Sequence, residues 1–132
     1  MSKPVSLQTA LEAHEEALSH GGVPGIRDMN ALLAALNAPW MSMMGQDFYP
    51  TEIEKACRLA FEIISQHPFA DGNKRTATVL FLMLVRTEHV PLSCSIDQLH
   101  DTLIKVASGK AGYEDLLQIS SSNPKHKQSP HR

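Results

Sequence analysis

The chain has little cysteine: only Cys57 and Cys94 occur in 132 residues. They lie in different segments without C-x-x-C spacing, which argues against a disulfide framework or a thiolate metal site and for reduced core residues. It also lacks a basic excess. A formal net charge of -2 gives no electrostatic footprint for a polyanion, so direct nucleic-acid binding is disfavoured. Long apolar runs are absent as well. The longest, Val79 to Val85, is far too short to span a bilayer, and no apolar stretch of the signal-peptide kind follows Met1-Ser2-Lys3-Pro4. Together these absences lead to the expectation of a cytoplasmic protein with no membrane association. No internal repeat is visible, and no alternating run is long enough to outvote helical spacing for strands.

What is present reads as one helix after another. Hydrophobic residues make up 42% of the chain and charged ones 20%, proportions that let a single domain bury a core. From Ser6 to His20, Leu7, Leu11, His14, Ala17 and Leu18 recur at helical spacing, with Ser6 as N-cap and Gly21-Gly22 as the stop. His14 sits on that apolar face, as a core histidine or as a partner of a neighbouring loop. A Gly/Pro-rich turn follows, in which Arg27 and Asp28 read as a turn ion pair or cap, with lining of the site as the alternative, and then a short helix over Asn30 to Asn37. Ala38 to Pro50 reads as a loop or small flap with apolar anchors, Trp40 and three methionines among them. Thr51-x-x-Glu54 is a capping box that opens a helix to Gln66. A further helix over Thr76 to Glu88 is apolar around most of its circumference, as expected for the middle of a bundle. Ser95-x-x-Gln98 caps another helix, stopped by Gly109, and Tyr113 to Ile119 form the last. The fold expected is all-α: a compact single-domain bundle of about six helices over residues 1–120. Residues 121–132, rich in Ser, Pro, Lys, His and Gln, are expected to form a disordered polar tail.

Chemistry concentrates in the nine residues His67-Pro68-Phe69-Ala70-Asp71-Gly72-Asn73-Lys74-Arg75. They form a loop pinned between two helices, so the second helix begins beside them and points its unpaired N–H groups and positive dipole end at whatever the loop binds. His67 can accept a proton at neutral pH and suits a general base. Asp71 offers the hard oxygen that a magnesium ion prefers. Gly72 permits close approach of an anion, and Asn73 can cap the helix or donate its amide to a phosphate. Lys74 and Arg75 supply cations. Phe69 is expected to plug into the core and fix the loop's path. Taken singly, each residue has an ordinary explanation as a cap, a turn or a solvated charge. The combination does not, because cations at a helix N-terminus are disfavoured by the dipole unless an anion joins them.

The run H-P-F-A-D-G-N-K-R resembles the signature of the Fic/Doc family, in its death-on-curing toxin branch. The likeness extends to Tyr49-Pro50, Glu54-Lys55-Ala56, Thr76-Ala77 and the Gly21-Gly22-Val23-Pro24-Gly25 turn. Members that transfer AMP carry Gly-Asn-Gly-Arg and a second arginine three positions on, where this chain has Lys74 and Thr78. Ser65-Gln66 also lacks a basic residue that some Doc relatives carry just before the histidine.

The resemblance implies a toxin that binds ATP and Mg2+ and moves the terminal phosphate onto a threonine of translation elongation factor Tu, arresting translation. His67 would activate the hydroxyl, Asp71 would serve the metal, and Gly72, Asn73, Lys74 and Arg75 would hold phosphates. It also implies a small antitoxin whose disordered segment folds onto the toxin. No Ser/Thr-x-x-x-Glu-Gly/Asn pattern of a built-in inhibitory helix occurs in the chain. Two other readings stay open from the residues: an AMP or other nucleotidyl transferase, and a catalytically silent binding module.

Overall fold

The computed structural model describes residues 2–121. Six α-helices follow in order: α1 (Leu7–Ala17), α2 (Met29–Asn37), α3 (Glu52–Gln66), α4 (Asn73–Thr87), α5 (Ile96–Ala107) and α6 (Tyr113–Ser120). Between α2 and α3 lie a 3-10 turn (Ala38–Trp40) and a two-stranded antiparallel hairpin, β1 (Ser42–Met43) and β2 (Gln46–Asp47). The all-α bundle expected from the periodicity is thus the fold.

Local chemistry explains most of the boundaries. Ser6 caps α1 by accepting from the Thr9 N–H, Asp28 caps α2 through Ala31, and the Thr51–Glu54 and Ser95–Gln98 boxes close in both directions at α3 and α5. Other boundaries move. α1 stops at Ala17 instead of His20, because the chain must turn toward Gly21 and Gly22, both at positive φ. α4 begins three residues earlier than Thr76, so Asn73, Lys74 and Arg75 form its first turn. Packing continues through Ser121, which is buried and donates its N–H to the Leu117 carbonyl. The rest of the expected tail, 122–132, lies outside the described residues.

The bundle is centred on α3, not on the more uniformly apolar α4. α2, the 3-10 turn, α4, α5 and α6 all pack against α3, whereas α4 packs against α1, α3 and α5. Apolar periodicity misses this because α3 also buries polar residues. Lys55 is only 1% exposed, its ammonium donating to the Tyr49 carbonyl and lying 3.3 Å from Asp47 Oδ2. Arg58 pairs with Glu62 one turn on and lies over the rings of Tyr49, Phe61 and Tyr113.

The hairpin is tied down by that same Lys55 and turns at Met44-Gly45, both residues at positive φ as a two-residue reversal needs. Its methionines are not the anchors expected from sequence. Met41, Met43 and Met44 are 52%, 61% and 96% exposed, while Pro39 is buried and Trp40 is held through Nε1 donating to Ser2 Oγ. Cys57 and Cys94 are both free thiols, and burial pushes the Cys57 thiol up to about 12.

Candidate active site: the α3–α4 loop

α3 ends on His67, whose backbone is left-handed (φ 49°, ψ 54°). For a residue with a Cβ that conformation is costly and must be held from outside. Residues 25–28 hold it. Ile26 and Phe69 form an isolated antiparallel bridge, the Ala70 N–H donates to the Gly25 carbonyl, and the Arg27 and Asp28 N–H groups both donate to the Pro68 carbonyl. The Arg27 guanidinium donates to the carbonyls of Gln66 and His67. Asp28 is a cap, as its position suggested; Arg27 instead closes the end of α3, where helix carbonyls lack partners and a cation meets the negative dipole end.

Phe69 is 1% exposed, as the loop-plug reading requires. Its ring stacks on His14 with centroids 3.8 Å apart, and its backbone is gripped twice by Asn73, Oδ1 accepting the Phe69 N–H and Nδ2 donating to the Phe69 carbonyl, each at 3.0 Å. The Asn73 amide, expected to cap a helix or meet a phosphate, therefore shapes the loop. His14 is both of the things its sequence position allowed. It is 6% exposed, and Nε2 lies 2.8 Å from the Asp71 carbonyl oxygen, which can only accept, so Nε2 carries the proton.

Asp71 projects into solvent with both carboxylate oxygens partly engaged. Oδ2 accepts the Val23 N–H at 3.0 Å and Oδ1 accepts the Gly72 N–H at 2.8 Å. These two bonds, the Val23 one foremost, hold its carboxyl below the ordinary value despite some desolvation, with Arg75 and His14 adding to the effect. Each oxygen keeps a further lone pair for a cation. No group of three or more His, Cys, Asp or Glu among the described residues could hold a metal. An ion at Asp71 would therefore draw its other ligands from water and phosphate oxygens, the arrangement that suits magnesium.

Gly72 caps α4 at φ 76°, a conformation that favours glycine, and a Cβ there would also press on Leu18 Cδ2 at 3.0 Å. No side chain caps α4 and no acid stands in its first turn. Four of the other helices are closed by oxygen-bearing caps; α6, like α4, starts on a glycine without a side-chain cap, but it carries Glu114 and Asp115 in its first turn. Ile64, His67, Ala70, Asp71, Gly72, Asn73, Lys74, Arg75 and Ala107 line one cleft of about 340 Å³. All six residues singled out from sequence are thus brought together. Lys74 is exposed and its ammonium has no partner among the described residues. Arg75 is also exposed, but its Nη1 donates to the carbonyls of Ala17 (3.2 Å) and Gly21 (3.4 Å), so part of its fork closes the end of α1.

Sequence reasoning did not assign Ile64 or Ala107 to the cleft. It also missed the Lys55 tether and the part Val23 plays in holding Asp71. The Gly-Gly-Val-Pro-Gly turn signalled a bend, and nothing in its spacing pairs it with a loop nearly fifty residues away.

The sequence model of the Fic/DOC family matches residues 4–85, which include this loop, all of α3 and all but the last two residues of α4. Toxin Doc of Mycolicibacterium smegmatis is 31% identical over 94 residues, covering 70% of this chain and 72% of that protein.

Proposed function

The chain belongs to the Fic/DOC family, and on that premise we propose that it is the toxin of a toxin–antitoxin pair, transferring the terminal phosphate of ATP to a threonine of elongation factor Tu and so arresting translation. The observation that carries the phosphotransfer reading is the open first turn of α4, which faces the same cleft as His67 and Asp71. Bound ATP and its magnesium ion supply the phosphoryl group and neutralise its developing charge.

The chain's own residues do the rest. The unprotonated ring nitrogen of His67 takes the proton from the target hydroxyl. Asp71, held anionic by the Val23 and Gly72 amides, is the oxygen ligand for the metal. The amides at the start of α4 and the ammonium of Lys74 bind and orient phosphate oxygens, with Arg75 adding positive charge beside them. Asn73 and His14 keep the loop in shape while this happens. Transfer of the terminal phosphate is favoured over AMP transfer by Thr78, which stands where the AMP-transferring branch has its second arginine. Its hydroxyl is turned onto the Lys74 carbonyl at 2.9 Å and offers nothing to a nucleotide.

Control in trans by a small antitoxin completes the reading. A groove of about 510 Å³ between α1 and α4, lined by Ala13, Val79, Leu82 and Met83 together with polar residues that include Glu12, Glu16 and Arg86, offers a docking surface for its folding segment. The test incubates purified protein, magnesium and cell lysate with ATP labelled at either the γ or the α phosphate. Label from the γ position alone on a protein of the size of elongation factor Tu is the expected result. Label from the α position would establish nucleotidyl transfer instead, and no label from either would leave a binding module.

A further inference from the structure

Arg27 makes an unusual set of bonds. Its guanidinium donates through Nε to the His67 carbonyl and through Nη2 to the Gln66 carbonyl, and its own main-chain N–H donates to the Pro68 carbonyl. The Gln66 carbonyl belongs to the peptide plane before the His67 Cα, and the His67 carbonyl to the plane after it. Rotation of those two planes about the Cα is what φ and ψ of His67 measure. One rigid, planar fork bonded to both therefore fixes the two angles together, and the direction of the Cα–Cβ bond with them.

Such a device has work to do. A helix that ends on a left-handed residue ordinarily places glycine there, at no steric cost. Here the position is held by a histidine at φ 49°, so the strain has to be balanced by bonds from another segment. We propose that Arg27 is the positioning residue of this site: by binding the carbonyls on either side of the His67 Cα, it sets the direction in which the imidazole enters the cleft. The catalytic part of this inference rests on His67 acting as the base.

Two variants of the full chain test it. Arg27→Met keeps an apolar stem without donors, and Arg27→Lys keeps charge without the fork. In isotope-labelled protein, backbone chemical shifts and the N–H to Hα coupling of His67 report its left-handed conformation. Arg27→Met is expected to lose that signature while the α5 and α6 amides stay in place. For phosphate transfer, kcat should fall about 10- to 100-fold, the scale at which small misplacements act, while KM for ATP stays within about twofold, because the start of α4 is untouched. Arg27→Lys should recover only a minor part of kcat. A left-handed His67 in Arg27→Met, a fall carried by KM alone, or full activity in Arg27→Lys would each overturn the proposal. If Arg27→Met does not fold, Arg27→Lys decides by the same readouts. If wild-type protein transfers no phosphate, the functional reading fails, and the His67 conformation still decides whether Arg27 positions it.

Discussion

Helices α3 and α4 are each fifteen residues long and pack against each other, yet their first turns follow opposite rules. α3 opens on a reciprocal Thr51–Glu54 capping box with Glu52 and Glu54 against the positive dipole end. α4 opens on a glycine at positive φ with no cap, no acid and two cations. The side-chain cap and the first-turn acids of the first start are both missing at the second, where Asp71, one residue before the N-cap, accepts only the Gly72 N–H of that start. The difference teaches where stability was given up. An isolated protein gains nothing from an uncapped, positively charged helix start, and a bound phosphate would restore both the missing hydrogen bonds and the missing negative charge. Local rules therefore fail in this chain at the start of α4, where the proposed phosphate would bind.

The largest effect is expected from His67→Ala at the mouth of the open helix. General bases contribute roughly 100- to 10,000-fold, so transfer and growth arrest should vanish while thermal stability holds, since the side chain is exposed. Cells still arrested by the variant at equal abundance would remove His67 from the chemistry. Phe69→Ala should instead cost stability, about 3–5 kcal/mol for a buried ring, and loosen the loop that His14 and Asn73 grip. An unchanged melting temperature would contradict that.

Lys74→Glu gives the α4 start the acid that α3 already has. Without nucleotide the protein should be more stable by about 0.3–1 kcal/mol, and with nucleotide it should transfer no phosphate. A variant that keeps its activity would reduce Lys74 to a solvated residue at the helix start. Thr51→Ala is the control at the closed helix: a loss of about 1 kcal/mol in denaturant unfolding with transfer per folded molecule unchanged.

The smallest effect concerns acid. The Asp71 carboxyl lies below its ordinary value of 3.8 because two backbone N–H groups bind its charged form. A depressed folded-state pKa contributes stability above the unfolded value and loses it as pH falls through the folded value. The melting-temperature gap between wild type and Asp71→Asn should therefore be constant well above the ordinary value of 3.8 and close as the pH falls below it. A gap that widens on acidification would mean that the Val23 and Gly72 bonds do not favour the carboxylate.

The sequence by itself determined the helices, most of their caps and the location of the chemistry. Those features depend on residues within a turn or two of each other, and the His67 to Arg75 run is contiguous. Proximity in the chain was enough to collect His67, Asp71, Gly72, Asn73, Lys74 and Arg75 in one cleft. Only the tertiary structure decided what these residues are free to do. The Asn73 amide is occupied by Phe69, part of the Arg75 fork by the end of α1, and both Asp71 oxygens by amides that include distant Val23. The centring of the bundle on α3 and the grip of Arg27 on His67 were equally out of reach. The first depends on which helices meet across the core and the second on a guanidinium reaching carbonyls some forty residues away, and apolar periodicity carries no record of either.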